Sequence, residues 1–229
     1  MKFDNTRDFP YYNHNPRISK KAWIILLLLI PISMLIYGLI SQISDILGSL
    51  IFCLLLLIPL LYFSNWDYGL LFKKPAKNEI ILAALMFAGY IIYSIIIGTI
   101  LDIANLSGTG LEEAITVNLE NIVALIFSMM AEELIKFIPL MFFLRLFYKY
   151  TDNRKLSIAL SSSIILIFFG LLHYAPPYST LISVLALQGF GTIFELYGYL
   201  RTKNLLVPYI SHLLTDGFIF TLILLGVAV

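Results

Sequence analysis

Apolar residues dominate this chain and fall into seven long runs separated by short polar stretches. A helix needs roughly 20 apolar residues to cross the hydrocarbon layer of a membrane, and these runs approach or reach that length. Because backbone groups in lipid must bond within their own segment, the pattern predicts seven transmembrane helices. An eighth, re-entrant segment is an open alternative in the polar stretch 102–120. The seven runs cover about residues 22–40, 46–63, 80–101, 121–146, 156–173, 179–199 and 205–228.

The composition also indicates a membrane protein. The 229 residues are 60% hydrophobic and 13% charged, whereas soluble domains are about 25% charged. A single cysteine, Cys53, excludes an internal disulfide and a thiolate zinc cluster. There is no basic patch with interleaved aromatic residues, so we expect no nucleic-acid partner. We predict an all-α, polytopic transmembrane helical bundle in contact with membrane lipid, with a polar segment 1–21 before a single domain 22–229.

The basic residues predict the orientation of the bundle. If the N-terminus is inside, 14 of the 15 Lys and Arg residues fall in the N-terminal segment or in inner loops, and the remaining one, Lys136, lies within a run. No Lys or Arg falls in an outer loop. Cytoplasmic loops of membrane proteins carry an excess of Lys and Arg, so we predict a cytoplasmic N-terminus. The outer loops instead hold the acidic residues Asp45, Asp102, Glu112, Glu113 and Glu120.

Two adjacent carboxylates, Glu132 and Glu133, lie in the middle of the fourth run. A charged side chain at the centre of a bilayer costs about 3 kcal/mol, so the pair requires an explanation. Lys136 lies one helical turn after Glu132 and shares its face. One interpretation is therefore a Glu132–Lys136 pair that neutralises itself inside the bundle. Glu133 points about 100° away, toward a neighbouring helix, and this interpretation leaves it unexplained.

Two histidines lie in or beside other runs, each four residues from a second notable side chain. The pairs are Phe169 with His173, and His212 with Asp216. Each feature alone also has a purely structural interpretation. His173 fits the role of a residue that caps the end of its helix. His212 and Asp216 fit a hydrogen-bonded pair that links helices. Glu195, in the sixth run, either joins them or pairs with Arg201 near the inner surface. Because ionisable groups within membranes usually face an internal cavity, we predict one shared site.

The three motifs resemble those of the type II CAAX prenyl protease and bacteriocin-processing family (CPBP, or Abi), a group of intramembrane endopeptidases. Glu132-Glu133, Phe169-x-x-x-His173 and His212-x-x-x-Asp216 occur in the family's order, and the likeness covers residues 120–217. Two positions depart from the pattern. Phe137 stands where the family has arginine, with Lys136 one residue earlier, and Asp216 stands where asparagine is commoner. Both departures are similar to PrsW-like proteases, which have glutamate at the position of His173.

The resemblance implies a role for each motif residue in peptide hydrolysis. Glu132 is expected to act as general base and to share the attacking water with His173, while His212 and Asp216 hold the oxyanion. Glu133 is expected to orient its neighbours, with Lys136 and Phe169 in support. Glutamate and histidine can bind zinc, but the spacing is not HExxH, so zinc and a metal-free site are both open.

The resemblance further implies a bacterial plasma-membrane enzyme that cleaves a membrane-delivered peptide or protein. Two other functions remain open: a non-proteolytic relative that acts in bacteriocin immunity or binding, and a proton-coupled carrier. The chain shows no internal repeat, which disfavours a carrier. One geometrical question also arises, because His212 lies about 10 Å from the inner end of its run, whereas His173 ends its own run on the outer side. For the two to meet, the fifth helix must start deeper, tilt or break.

Overall fold

The structure, a computed structural model, describes residues 7–13, 16–108 and 117–226. Those residues contain seven long helices and no strand, which confirms the predicted all-α class. Residues 109–116 lie outside the described part, and most of the candidate re-entrant helix falls there. The helices are α1 (Lys20–Ile40), α2 (Asp45–Phe63), α3 (Lys77–Ile103), α4 (Leu119–Thr151), α5 (Arg154–Leu172), α6 (Leu181–Thr202) and α7 (Leu206–Leu224).

The helices have the length and surface of a membrane bundle. Every long helix except α4 is long and apolar enough to cross a membrane, six in the described part of the chain. Large apolar side chains such as Ile24, Leu35 and Ile95 are exposed along them. Lipid would cover these faces, whereas water would make them a site of aggregation. The chain is therefore a multi-pass membrane protein, and its orientation stays a prediction.

Helix α4 forms the centre of the bundle. It has 33 residues, which corresponds to about 50 Å, and residues 133–141 are all buried. It packs against α1, α2, α5 and α7, while α3 lies against α6 and α7. Because α4 is surrounded, charged side chains in its middle face protein rather than lipid. This position explains how a helix with three central charges is accommodated.

Part of the N-terminal segment packs against one end of this bundle. Phe9, Tyr11 and Ile18 are buried in the main apolar core, and the hydroxyl groups of Tyr11 and Ser64 are hydrogen-bonded at 2.7 Å. The ring of Phe9 lies 6.0 Å from that of Tyr199. The N-terminal segment thus covers the end of the bundle where α2 and α6 end.

The helices do not all begin at the same level. The hydroxyl of Tyr199, near the end of α6, contacts the sulfur of Met141 at 3.8 Å. Helix α4 continues ten residues beyond Met141 to Thr151, a distance of about 15 Å. Helix α5 begins at Arg154, directly after α4, and so starts beyond the level at which α6 ends and α7 begins. This lower start moves His173, at the end of α5, toward the level of His212. It is the deeper start on the inner side that was one of the three expected solutions to the depth question.

Candidate active site

Four helices bring the predicted residues to one region of the bundle. Helix α4 supplies Glu132, Glu133 and Lys136, and α7 supplies His212 and Asp216. Helix α5 supplies Phe169 and ends at its C-cap, His173. Helix α6 adds Glu195. The three sequence motifs therefore lie around one region, which we describe as a buried layer and a layer that faces a cavity.

The buried layer consists of Glu133, Lys136, Glu195 and His212, each at most 6% exposed. A carboxylate oxygen of Glu133 lies 2.9 Å from Nδ1 of His212 and 2.5 Å from the ammonium nitrogen of Lys136. Lys136 also forms an ion pair with Glu195. A buried charge is tolerated only when it is paired and hydrogen-bonded, and each charge here has such a partner.

The partners of Lys136 differ from those expected. One interpretation of the sequence paired Lys136 with Glu132, one turn away on the same face. Its ammonium group instead contacts Glu133, three residues away, and Glu195 on α6. Residues three and four apart are both neighbours on a helix, so spacing alone did not distinguish the two glutamates. The side chain turns toward α6 because a second carboxylate lies there.

The contact with Glu133 fixes the orientation of the His212 ring. An ionised carboxylate only accepts hydrogen bonds, so the proton of this contact lies on Nδ1 of His212. The opposite nitrogen, Nε2, lies 3.7 Å from Glu132 and 3.7 Å from Asp216. The predicted one-turn approach of His212 and Asp216 is therefore present. His212 connects the buried layer to the two carboxylates that remain accessible.

Glu132 and Asp216 face a cavity of about 260 Å³. Their side chains are 24% and 28% exposed, in contrast to the buried Glu133. The cavity lies between α1, α2, α4 and α7, away from the end that the N-terminal segment covers. Its polar lining includes Asp45, Ser49, Asn121, Ser128, Glu132 and Asp216. Of the two adjacent glutamates, Glu132 is thus the one that can meet water or a substrate.

His173 lies beside this site without bonding to its carboxylates. Among the described residues, its ring hydrogen-bonds to the carbonyl of Phe169, at 2.9 Å from Nδ1. The Phe169 ring packs between the two histidines, with centroids 4.7 Å from His173 and 6.4 Å from His212. The ammonium of Lys136 lies 4.6 Å from the centre of the same ring. Phe169 therefore connects His173 to the buried layer.

Glu133, Glu195 and His212 could, by their chemistry, hold a metal ion. One donor atom from each lies within 4.8 Å of the others, and carboxylate oxygen and imidazole nitrogen are both zinc ligands. Lys136, however, contacts both carboxylates. The chain thus already supplies a cation to these donors, and they do not fit a zinc ion together with an ammonium group. Zinc stays a hypothesis, and no step of the chemistry below depends on it.

Two features of α6 contribute to the site and were not central to the sequence-based prediction. Glu195 joins the buried layer; its signal was a lone carboxylate within an apolar run.

The second feature is a π-helical turn at Leu185–Phe190, a rare form that often occurs at functional sites. Within it, Gly189 meets Gly170 of α5 so closely that a Cβ on Gly170 would lie 2.9 Å from the Gly189 Cα. This approach holds α5, and with it Phe169, against α6.

A carboxylate that faces a cavity and an imidazole oriented beside it, both within a membrane bundle, are groups that can activate a water molecule. Residues 115–218 match the family model described as type II CAAX prenyl endopeptidase Rce1-like. Across these residues the resemblance inferred from the motifs is confirmed, whereas the PrsW-like features stay a hypothesis. No curated protein and no solved structure matches the chain.

Proposed function

We propose that this protein is an intramembrane endopeptidase that hydrolyses a peptide bond of a membrane-delivered peptide or protein with water activated by Glu132. The observation that carries the proposal is the different exposure of the two adjacent glutamates. Glu132 faces the cavity and lies 3.7 Å from Nε2 of His212, while Glu133 is buried against Nδ1 of the same ring. The match of residues 115–218 to a prenyl endopeptidase family supports the reaction class.

The proposed reaction begins with a water molecule beside Glu132 in the cavity, which the family resemblance implies is shared with His173. Glu132 accepts a proton from this water, and the resulting hydroxide forms a bond to the carbonyl carbon of the substrate. The carbonyl oxygen becomes an oxyanion that accepts a hydrogen bond from protonated Nε2 of His212. The C–N bond then breaks, and the proton on Glu132 passes to the leaving amine. One water is consumed, and a carboxylic acid and an amine are formed.

The buried layer would keep His212 suited to this role. Glu133 holds the proton on Nδ1, so Nε2 is directed at the cavity, as the aspartate directs the histidine in serine proteases. Asp216, 3.7 Å from Nε2, would favour the protonated ring. An ionised aspartate does not stabilise an oxyanion directly, which asparagine could do. Asp216 would therefore act through His212 rather than on the substrate.

The decisive experiment compares Glu132→Gln with the parent protein in proteoliposomes. The probes are internally quenched peptides carrying a membrane-spanning segment, with and without a C-terminal prenylated cysteine motif. We expect cleavage to fall about 10²–10⁴-fold, because a general base contributes roughly that factor. Asp102→Asn, which removes a carboxylate at the end of α3 outside this cavity, is the matched control and should cleave like the parent.

The outcome separates the proposal from its alternatives. Equal cleavage by the parent and Glu132→Gln would refute Glu132 as the base. If the folded parent cleaves no probe yet protects cells against a peptide toxin, and Glu132→Gln protects equally, a binding or immunity function replaces the proposal. Proton uptake into the liposomes that depends on Glu132 without any cleavage would indicate a carrier.

A further inference from the structure

The cavity at Glu132 is closed toward the end of the bundle that the N-terminal segment covers. Phe137 and Ile138, which follow Glu132 on α4, are at most 2% exposed. The ring of Phe137 packs between two others, with its centroid 6.2 Å from that of Tyr11 in the N-terminal segment and 5.3 Å from that of Tyr199 on α6. Protein cores packed in this way leave few voids larger than a water molecule, so a peptide does not reach Glu132 from this end.

The cavity extends instead toward the opposite end of the bundle. Its lining includes Asp45, the first residue of α2, and Asn121 in the first turn of α4, and it reaches Glu132 near the middle of that helix. Tyr37 of α1 and Phe220 of α7 also line the cavity, and each lies about one turn before the end of its helix. Helices α1 and α7 end, and α2 and α4 begin, on the side of the bundle away from the N-terminal segment. The cavity therefore runs from that side to Glu132.

One wall of the cavity is not closed by helix packing. Four helices surround the cavity, and α1 packs against α2, α2 against α4, and α4 against α7. The fourth neighbouring pair is α7 and α1, both described along their full length, and these two helices are not packed closely against each other. Tyr37 and Phe220, which line the cavity from α1 and α7, mark the two sides of this opening. The ring of Tyr37 is held in place by stacking on Phe52 of α2, with centroids 5.1 Å apart.

We propose that the peptide substrate enters this cavity from the lipid between α1 and α7, in the half of the membrane away from the N-terminal segment. This inference rests on the proposed function, because it assigns the route and the side from which the substrate of the same site arrives. In the orientation that the basic residues predict, this half is the outer one.

The depth of Glu132 defines the kind of substrate that can use this route. Glu132 lies 11 positions after Asn121 on α4, which corresponds to about 16 Å. This distance is about half of a hydrocarbon layer that is about 30 Å thick. The substrate is therefore a peptide or protein segment inserted into the outer half of the bilayer, rather than one that lies on the inner surface.

The route is tested by photochemical cross-linking in proteoliposomes. The photoreactive residue p-benzoylphenylalanine is placed at position 37 or at position 220 of the Glu132→Gln variant, which should bind a peptide without cleaving it. The probe is a fluorescent peptide that carries one membrane-spanning segment. We expect ultraviolet light to join the peptide to both positions, and an excess of unlabelled peptide to abolish both cross-links.

Two positions on the same helices are matched controls. Leu35 precedes Tyr37 by two residues on α1, and Phe218 precedes Phe220 by two residues on α7. Both side chains are exposed and lie outside the described lining of the cavity. The ring of Phe218 packs on the α3 side of its helix, 5.8 Å from that of Phe87. The photoreactive residue at either control position should give only the background that unlabelled peptide does not remove.

The side of entry is tested with single cysteines in a Cys53→Ser background and a charged thiol reagent that does not cross membranes. Asp102→Cys, at the end of α3, and Lys149→Cys, near the end of α4, are exposed references for the two ends of the bundle. Ala124→Cys lies in the cavity lining. We expect it to react from the side that labels Asp102→Cys, with loss of cleavage. Reaction only from the side of Lys149→Cys, or from neither side, overturns the inference.

The failure of this inference and the failure of the proposed function give different results. If the parent cleaves the peptide but cross-links are equally strong at all four positions, the route is overturned and the endopeptidase is intact. If the parent cleaves nothing, the endopeptidase proposal fails. Cross-linking to the Glu132→Gln variant does not require cleavage and then still tests the route, which fails if positions 37 and 220 give only background.

Discussion

Removal of the Lys136 side-chain charge should destabilise the protein more than any other single substitution in the buried layer. Lys136 is 4% exposed and is the ion-pair partner of both Glu133 and Glu195. In Lys136→Met the two carboxylates stay buried without their cation. Breaking one buried ion pair by removal of a partner costs about 3–5 kcal/mol of the free energy of unfolding. For a chain of this size that cost corresponds to a fall in Tm of about 6–20 °C.

The assay is thermal unfolding in detergent micelles, followed by the amount of monodisperse protein that remains after heating. Lys149→Met is the control, because Lys149 is exposed near the end of the same helix and its loss should change stability by less than about 0.5 kcal/mol. The double variant Lys136→Met/Glu195→Gln removes one of the two carboxylates that have lost Lys136 and should recover part of the lost Tm. If Lys136→Met is as stable as the parent, or if the double variant is no more stable than Lys136→Met, the charges do not hold this layer together.

Two further predictions concern packing and metal dependence. Gly170→Ala should lower stability and slow cleavage, because a Cβ there lies 2.9 Å from the Gly189 Cα and displaces α5 with Phe169. Gly38→Ala has open space around it and should match the parent in both measurements; equal behaviour of the two variants would contradict the close approach. Chelation with EDTA or phenanthroline should leave peptide cleavage unchanged, because Lys136 already lies at the donors of Glu133 and Glu195. Loss of cleavage on chelation, restored by added zinc, would refute that reasoning.

The periodic features of the sequence predicted the all-α fold and the pairs of side chains that share one face of a helix. Apolar runs gave the seven long helices, since each must be about as long as the membrane is thick. Spacings of four placed His212 over Asp216 and Phe169 over His173, and both pairs are present. These predictions depend only on the geometry of one helix, which is regular, so they did not require knowledge of the packing.

Features that depend on how helices pack could not be predicted in the same way. The choice of Lys136 between Glu132 and Glu133 was decided by Glu195, which belongs to another helix. The depth of His173 depended on the unequal starting levels of α5 and α7. Hydropathy alone places the start of every helix at the same membrane surface, whereas α4 has 33 residues and extends well beyond the end of α6. Contacts between helices of unequal length leave no trace in the periodicity of any one of them.

In the proposed mechanism, the arrangement gives each of the two adjacent glutamates a separate role. A base must be ionised, and an ionised carboxylate in a membrane requires either a partner or water. A single glutamate paired tightly with a cation would be stable but would be a weak base, and one exposed to water would not orient His212. Neighbouring residues of a helix point about 100° apart, so one glutamate can face the cavity while the other orients His212. Glu133 turns inward to Lys136 and fixes Nδ1 of His212, which leaves Glu132 in the cavity, without a strong ion pair, as the carboxylate able to take a proton from water.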